Sequence, residues 1–230
     1  MLRAVLFDLD DTLFPQADYL AGAWRAVSVR GIEWGIPHEA FARELKSIAA
    51  EGSDRGRIID RALARVGRSD VASAPFVDVF HAYEPDMLEP YPGVADGLVA
   101  LGERFQLGLV TDGHPAGQRA KLHALGLDRV FDVEVYSDEL GREHRKPDPL
   151  PFLTALEQLG VDARDAMFVG DRPGKDLSGA RAVGMQAIRV RTGEHASEWC
   201  GLPGVAVVDN AADAFELLLG VTTREPRAAH

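Results

Sequence analysis

The sequence predicts an α/β fold, a doubly wound parallel sheet of Rossmann-like type that carries an inserted block of helices. Three observations predict it. Short apolar runs alternate with helix-period segments from residue 94 onward, which is the signature of βαβ units. The apolar run from Ala4 to Phe7 stops abruptly on Asp8, Asp10 and Asp11. Between these regions, from Pro15 to about Pro90, the apolar residues recur only with helical spacing.

Ala4 to Phe7 has the unbroken apolar character of a buried parallel strand. The insertion that follows shows four helical patterns. They are Tyr19, Leu20, Trp24 and Val27; Phe41, Leu45 and Ile48; Ile58, Ile59, Ala62, Leu63 and Val66; and Phe76, Val79, Phe80 and Tyr83. Phe14-Pro15 marks its entry and Glu89-Pro90-Tyr91-Pro92-Gly93 its exit. On the third helix Arg57, Arg61, Arg65 and Arg68 share one face, which reads as a solvated face paired with nearby acids rather than as an anion site. Beyond it, strands are expected at 107–111, 133–136, 166–170, 186–190 and 205–208. Helices are expected at 95–101, 115–125, 149–159, 177–183 and 211–219. The predicted domains are a core of residues 1–14 and 91–221 and a helical insertion of residues 15–90. The polar tail 222–230 is expected to fray.

Composition narrows the partners. The chain of 230 residues is long enough to bury a sizeable core. Its 25 Lys and Arg against 36 Asp and Glu give a formal charge of −11, which argues against nucleic acid or an acidic membrane surface as the main partner. A single cysteine, Cys200, cannot form an intramolecular disulfide and fits a reducing compartment. No apolar run approaches the ~20 residues of a membrane span, and Asp8 and Asp10 interrupt the one candidate for a leader, so a cytoplasmic location is expected.

The strand ends carry the chemistry. Strand alternation puts Asp8 and Asp10 on one side of the chain, where their carboxylates repel unless a cation lies between them or one is protonated. Alone, this pattern reads equally as an acidic turn. The second strand runs into Thr111-Asp112-Gly113-His114-Pro115, where a hydroxyl and the free N–H groups of a helix start make a ready anion site, although Thr-Asp-Gly is also an ordinary turn. In Arg145-Lys146-Pro147-Asp148-Pro149 the prolines stiffen the chain around a lysine that can neutralise phosphate oxygens. The ordinary alternative is a surface lysine. The fourth long strand ends in Gly170-Asp171-Arg172-Pro173-Gly174-Lys175-Asp176, a second acidic loop. Magnesium is commonly held by one or two carboxylates plus substrate phosphate, and Asp8 and Asp171 on neighbouring central strands suit that role. Asp176 reads as the N-cap of the next helix, with a site role open to it as well.

Together, Asp8-Leu9-Asp10-Asp11-Thr12, Thr111 after its strand, Lys146 before Pro147, and Gly170-Asp171 followed by Asp176 resemble the four ordered motifs of the haloacid dehalogenase-like hydrolase superfamily. The match runs from Ala4 to about Val190, and the helical insertion is similar to that superfamily's helical cap. The resemblance implies a magnesium-dependent phosphomonoester hydrolase. Asp8 would be the nucleophile that takes the phosphoryl group as an aspartyl-phosphate. Asp10 would protonate the leaving alkoxide and then activate water. Thr111, Asp112, Gly113 and Lys146 would bind the phosphoryl group. Mg2+ would be held by Asp8, the Asp10 backbone carbonyl and Asp171, with Asp176 and Thr12 in support. The implied substrate is a small phosphorylated metabolite, a sugar phosphate or a nucleotide monophosphate. The Asp11-Thr12-Leu13-Phe14 sequence resembles nucleotidase and acylneuraminate-phosphate phosphatase relatives.

Other activities on the same fold remain open. Haloacid dehalogenases typically lack an acid at the position of Asp10, which favours phosphoryl transfer here. Cation-pumping ATPases need membrane spans, and a phosphonate hydrolase needs a cap lysine, for which Lys46 in a charged helical context is a poor candidate. A sugar-phosphate mutase shares all four motifs, and a non-catalytic binding module is the reading from another class. The two Pro-marked crossings suggest that the insertion swings as a lid, with Tyr19 to Ala26 or Arg57 to Arg68 setting selectivity.

Overall fold

In a computed structural model, which describes residues 1–52 and 56–220, the apolar run 4–7 forms β1 (Ala4–Phe7), buried along its whole length. Four helices follow: α1 (Gln16–Arg30), α2 (His38–Ala49), α3 (Ile58–Arg65) and α4 (Ala74–His81). The chain then alternates through α5 (Val94–Gly102), β2 (Gln106–Thr111), α6 (Pro115–Ala124), β3 (Val133–Tyr136), a short α7 (Ser137–Leu140) and α8 (Pro149–Leu159). It ends with β4 (Ala166–Gly170), α9 (Ser178–Ala182), β5 (Gln186–Val190), β6 (Ala206–Val208) and α10 (Ala211–Gly220). The expected tail 222–230 lies outside the described residues. No described helix is long and apolar enough to cross a membrane.

The six strands form one sheet in the order β3-β2-β1-β4-β5-β6, every pair parallel. This is the doubly wound α/β fold that the alternation predicts. The strand order reverses at β1, which lies between β2 and β4, so the topological switch point is at the β1/β4 boundary. Phe7 pairs with both Leu109 and Val169, which brings Asp8, Val110 and Gly170 out level at one edge of the sheet. The Asp8 N–H donates to the Val169 carbonyl at 3.0 Å, extending the ladder to the first acid.

Burial on both faces explains why β1 reads as a continuous apolar run. On one face Leu6, Val110, Phe168 and Met185 pack with Phe152 and Leu156 of α8. On the other, the Phe7 ring meets Phe215 of α10 edge-on at 5.8 Å and Phe131 at 6.3 Å. Truncating one such buried phenylalanine to alanine costs roughly 3–5 kcal/mol. Helix α8 begins as its sequence dictates, because the Asp148 carboxylate accepts from the Leu150 N–H at 2.9 Å and Pro149 occupies the first turn.

One expected helix starts differently. The segment foreseen as 177–183 begins as a π-helical turn at Pro173–Leu177 before α9 takes over. The Arg172 carbonyl accepts from the amides of Lys175, Asp176 and Leu177, while the Arg172 N–H donates to Asp176 Oδ2 at 3.0 Å. Asp176 is therefore inside a helical turn and not its N-cap.

Contacts divide the chain into two compact units. One comprises Met1–Pro15, Glu89–Gly113 and the described residues from Leu127 onward, and holds the sheet. The other comprises Gln16–Leu88 with His114–Gly126, so that α6 groups with the helical segment. Within this second unit Trp24, Val27, Phe41, Leu45, Ile48, Leu63 and Phe76 form the core, and the Trp24 ring stacks on Phe80 at 4.5 Å. The arginine face is paired with acids: Arg61 with Glu51, Arg65 with Glu51 and Glu44, and Arg68 with Asp70. Arg57 lies just before α3 in a left-handed conformation, 3.9 Å from Asp60.

Candidate active site

The edge of the sheet at the carboxyl ends of β1, β2 and β4 gathers acids from distant parts of the chain. Carboxylate oxygens of Asp8, Asp171 and Asp176 all lie within 4.8 Å of one another, and all three residues are buried. Asp8 follows β1 and Asp171 follows β4, while the π-helical turn carries Asp176 inward. The approach of Asp176 depends on Gly170, since a Cβ there would fall 2.6 Å from Asp176 Oδ2.

One ammonium answers these acids. The Lys146 Nζ donates to Asp8 Oδ1, pairs with Asp176 Oδ1 at 2.7 Å, and donates to the Val110 carbonyl at 3.1 Å. The other face of Asp8 is met by Thr12, whose hydroxyl lies 3.4 Å from both Asp8 Oδ2 and Asp171 Oδ1. Burial pushes the Asp8 carboxyl up to about 7, against the pull of Lys146 and with Asp176 and Asp10 adding repulsion. Burial and then the charges of Asp176, Asp8 and Asp11 likewise hold the Asp171 carboxyl well above its usual range. Burial would lower the Lys146 ammonium, but Asp176 and Asp8 override it and raise it, so this lysine stays charged at any ordinary pH.

The residues fit a divalent cation. Three carboxylates crowd together, two of them paired with the Lys146 ammonium, and Asp171 Oδ2 is buried with no hydrogen-bond partner. Hard oxygen donors crowded in this way suit magnesium or calcium.

The haloacid dehalogenase-like hydrolase family profile matches residues 2–184. The chain belongs to that family. Among the relatives of this hydrolase is the glyceraldehyde 3-phosphate phosphatase of Methanopyrus kandleri, 39% identical over 205 residues that cover 85% of this chain and 86% of the relative. The phosphoglycolate phosphatase of Rhodospirillum rubrum is 34% identical and covers 95% and 91%. In structure the hydrolase resembles the 2-haloacid dehalogenase from Pseudomonas syringae pv. Tomato DC3000, with a TM-score of 0.66 and 29% identity, covering 95% of this chain and 99% of that one.

The sequence-predicted residues of this hydrolase are placed as follows. Asp8, Asp171, Lys146, Thr12 and Asp176 come together, with the carboxylate oxygens of the three acids within 4.8 Å of one another. The Asp10 carboxylate is outside that trio, on a half-buried residue whose backbone bridges to Phe14. Thr111 is buried as the last residue of β2, and Gly113 follows with φ 126°. Asp112 has an occupation that its sequence did not announce. Its Oδ1 accepts from the Ser137 hydroxyl at 2.7 Å and from the Lys146 N–H at 3.0 Å. The carboxylate thus steadies the backbone that carries Lys146. Arg145 is clamped next door by two bonds to Asp138. Ser137 and Asp138 escaped notice because Ser-Asp-Glu after a strand reads as a helix start, which it also is.

Proposed function

We propose that this hydrolase cleaves a small phosphomonoester through an aspartyl-phosphate on Asp8, with Mg2+ at the acid cluster. The observation that carries the reading is the Lys146 ammonium held between Asp8 and Asp176, beside an Asp171 oxygen that has no partner. The names of the relatives support phosphate-ester hydrolysis, and those relatives act on short phosphorylated metabolites.

In this reading Asp8 Oδ2 attacks phosphorus while the bond to the leaving oxygen breaks, and Asp10 gives that oxygen its proton. Asp10 then takes a proton from water as the water attacks phosphorus and releases Asp8. Lys146 favours the ionised form of Asp8, against burial and the neighbouring acids that favour the protonated one. Thr111 and Lys146 meet the phosphoryl oxygens, and Asp112 holds the Lys146 backbone in place. When bound to Asp8, Asp171 and the Asp10 carbonyl, magnesium supplies charge neutralisation for the phosphoryl oxygens. A haloacid dehalogenase reading has the structural neighbour in its favour, but halide displacement has no use for a clustered trio of acids that invites a divalent cation.

The test is turnover of a panel that includes glyceraldehyde 3-phosphate, 2-phosphoglycolate, sugar phosphates and nucleoside monophosphates, with a 2-haloacid as the competing substrate. Phosphate release that vanishes in chelator, returns with magnesium and is suppressed by calcium is the expected outcome. Full activity in chelator with metal absence confirmed, or halide release in place of phosphate release, counts against the reading.

A further inference from the structure

The fold binds the turn after β1 to a loop that no motif includes. Asp11 is a non-glycine residue in the left-handed region, with φ 57°. Its N–H donates to the Phe14 carbonyl at 3.0 Å, and its carbonyl accepts from the Thr192 hydroxyl. Its carboxylate Oδ2 accepts from the Glu194 N–H at 3.2 Å, while its charge still reaches Asp171. The side chain lies so tightly over Gly193 that a Cβ there would come within 2.0 Å of Asp11 Cγ. The partner loop is itself fixed from beneath, where the buried Arg189 of β5 donates to the carbonyls of His195, at 2.8 Å, and Glu198.

A planar trans peptide points its N–H and its carbonyl in opposite directions. The Asp11 N–H and the Asp10 carbonyl belong to one such peptide, so whatever fixes Asp11 aims the Asp10 carbonyl. Resting on the proposed reading, in which that carbonyl is a magnesium ligand, we infer that Asp11 is a positioning residue. Clasped by Thr192, Gly193 and Glu194, it aims the Asp10 carbonyl at the metal. The competing account is that Asp11 only steadies the loop at 192–194.

The two separate in a double-mutant cycle read by magnesium calorimetry and by melting temperature on the full chain. Gly193→Ala leaves every acid and every proposed ligand in place but drives a methyl into Asp11. It is expected to weaken magnesium binding about tenfold, the scale of a lost outer partner of a metal ligand. In the Asp11→Gly background the Asp11 side chain is gone and only the strain of alanine at φ 65° remains, so the same substitution is expected to change magnesium affinity by less than about twofold. Asp11→Asn keeps an acceptor oxygen and a tolerance of the left-handed conformation, and it should stay within about threefold of the unsubstituted protein. A Gly193→Ala penalty that is equal in both backgrounds, or that appears only in the melting temperature, overturns the inference. Failure of the unsubstituted protein to bind magnesium overturns the proposed function along with it, whereas binding that Gly193→Ala leaves intact overturns this inference alone.

Discussion

Asp8→Asn is expected to lower phosphate release by about a thousandfold or more and, in the absence of magnesium, to raise the melting temperature at pH 8. The two halves come from one cause. An amide cannot act as the anionic nucleophile, so the proposed covalent step is lost. The same change removes a carboxylate that burial and its acidic neighbours push up to about 7. A carboxyl whose folded value lies above its ordinary 3.8 binds its proton more tightly in the folded protein. Its ionisation therefore takes stability away as pH rises from the ordinary value to the folded one. Below about pH 4 the aspartic acid and the asparagine are nearly alike, and the two proteins should melt together. The gap should open between pH 4 and 7 and level off above that. Magnesium should reverse the order, stabilising the unsubstituted protein more than the variant. A variant that melts lower than the unsubstituted protein in chelator at pH 8, or that keeps substantial turnover, refutes the assigned role of Asp8.

Lys146→Met should lose both activity and stability, and this contrast with Asp8→Asn identifies what the lysine does. Its ammonium is buried against Asp8 and Asp176, and methionine fills the space of the stem without the charge. Removing one partner of a buried pair typically costs 3–5 kcal/mol, because the remaining charges are left uncompensated in low dielectric. Proton uptake by the acids would relieve part of that, so the loss of melting temperature should be larger at pH 8 than at pH 5. Turnover should fall about a hundredfold or more, since the phosphoryl oxygens lose a cation and Asp8 is protonated more of the time. Combining Asp8→Asn with Lys146→Met should recover part of the stability and none of the activity. Melting temperatures for the two singles and the double, at pH 5 and pH 8, decide the matter. Additive losses in the double variant would show that the two side chains are not coupled.

The parts of this design legible in the sequence are those in which a chemical side chain interrupts a run of another character. Asp8, Thr111 and Asp171 stand out because polar residues end apolar strands, and the sheet then places those ends along one edge. Asp176 was harder to place, since its position depends on a π-helical turn and on Gly170 having no Cβ. Asp112 illustrates another limit. A carboxylate beside Thr111 looks available to a substrate, and what the sequence does not show is that its Oδ1 accepts from Ser137 and the Lys146 amide, partners 25 and 34 residues away. The clasp on Asp11 was invisible for a similar reason, because 181 residues separate it from Thr192. The grouping of α6 with the helical segment follows from packing that strand and helix periods do not encode.

The position of β1 in the sheet bears on how the protein is made. Ala4 pairs with Gln106 on one side and with Ala166 on the other, so during synthesis this apolar strand emerges long before either neighbour exists. Closing loops of such length costs entropy before any ladder bond is gained, and parallel pairing of this kind is slow. Roughly 160 residues beyond β1 must be made before it has both partners, and a few more before Asp176 can join Asp8 and Lys146. No shorter nascent chain can hold the acid cluster, so the capacity to bind the cation should appear late and all at once. Until β2 has emerged, Ala4 to Phe7 is an unpaired apolar strand, open to the misassociation that chaperones limit.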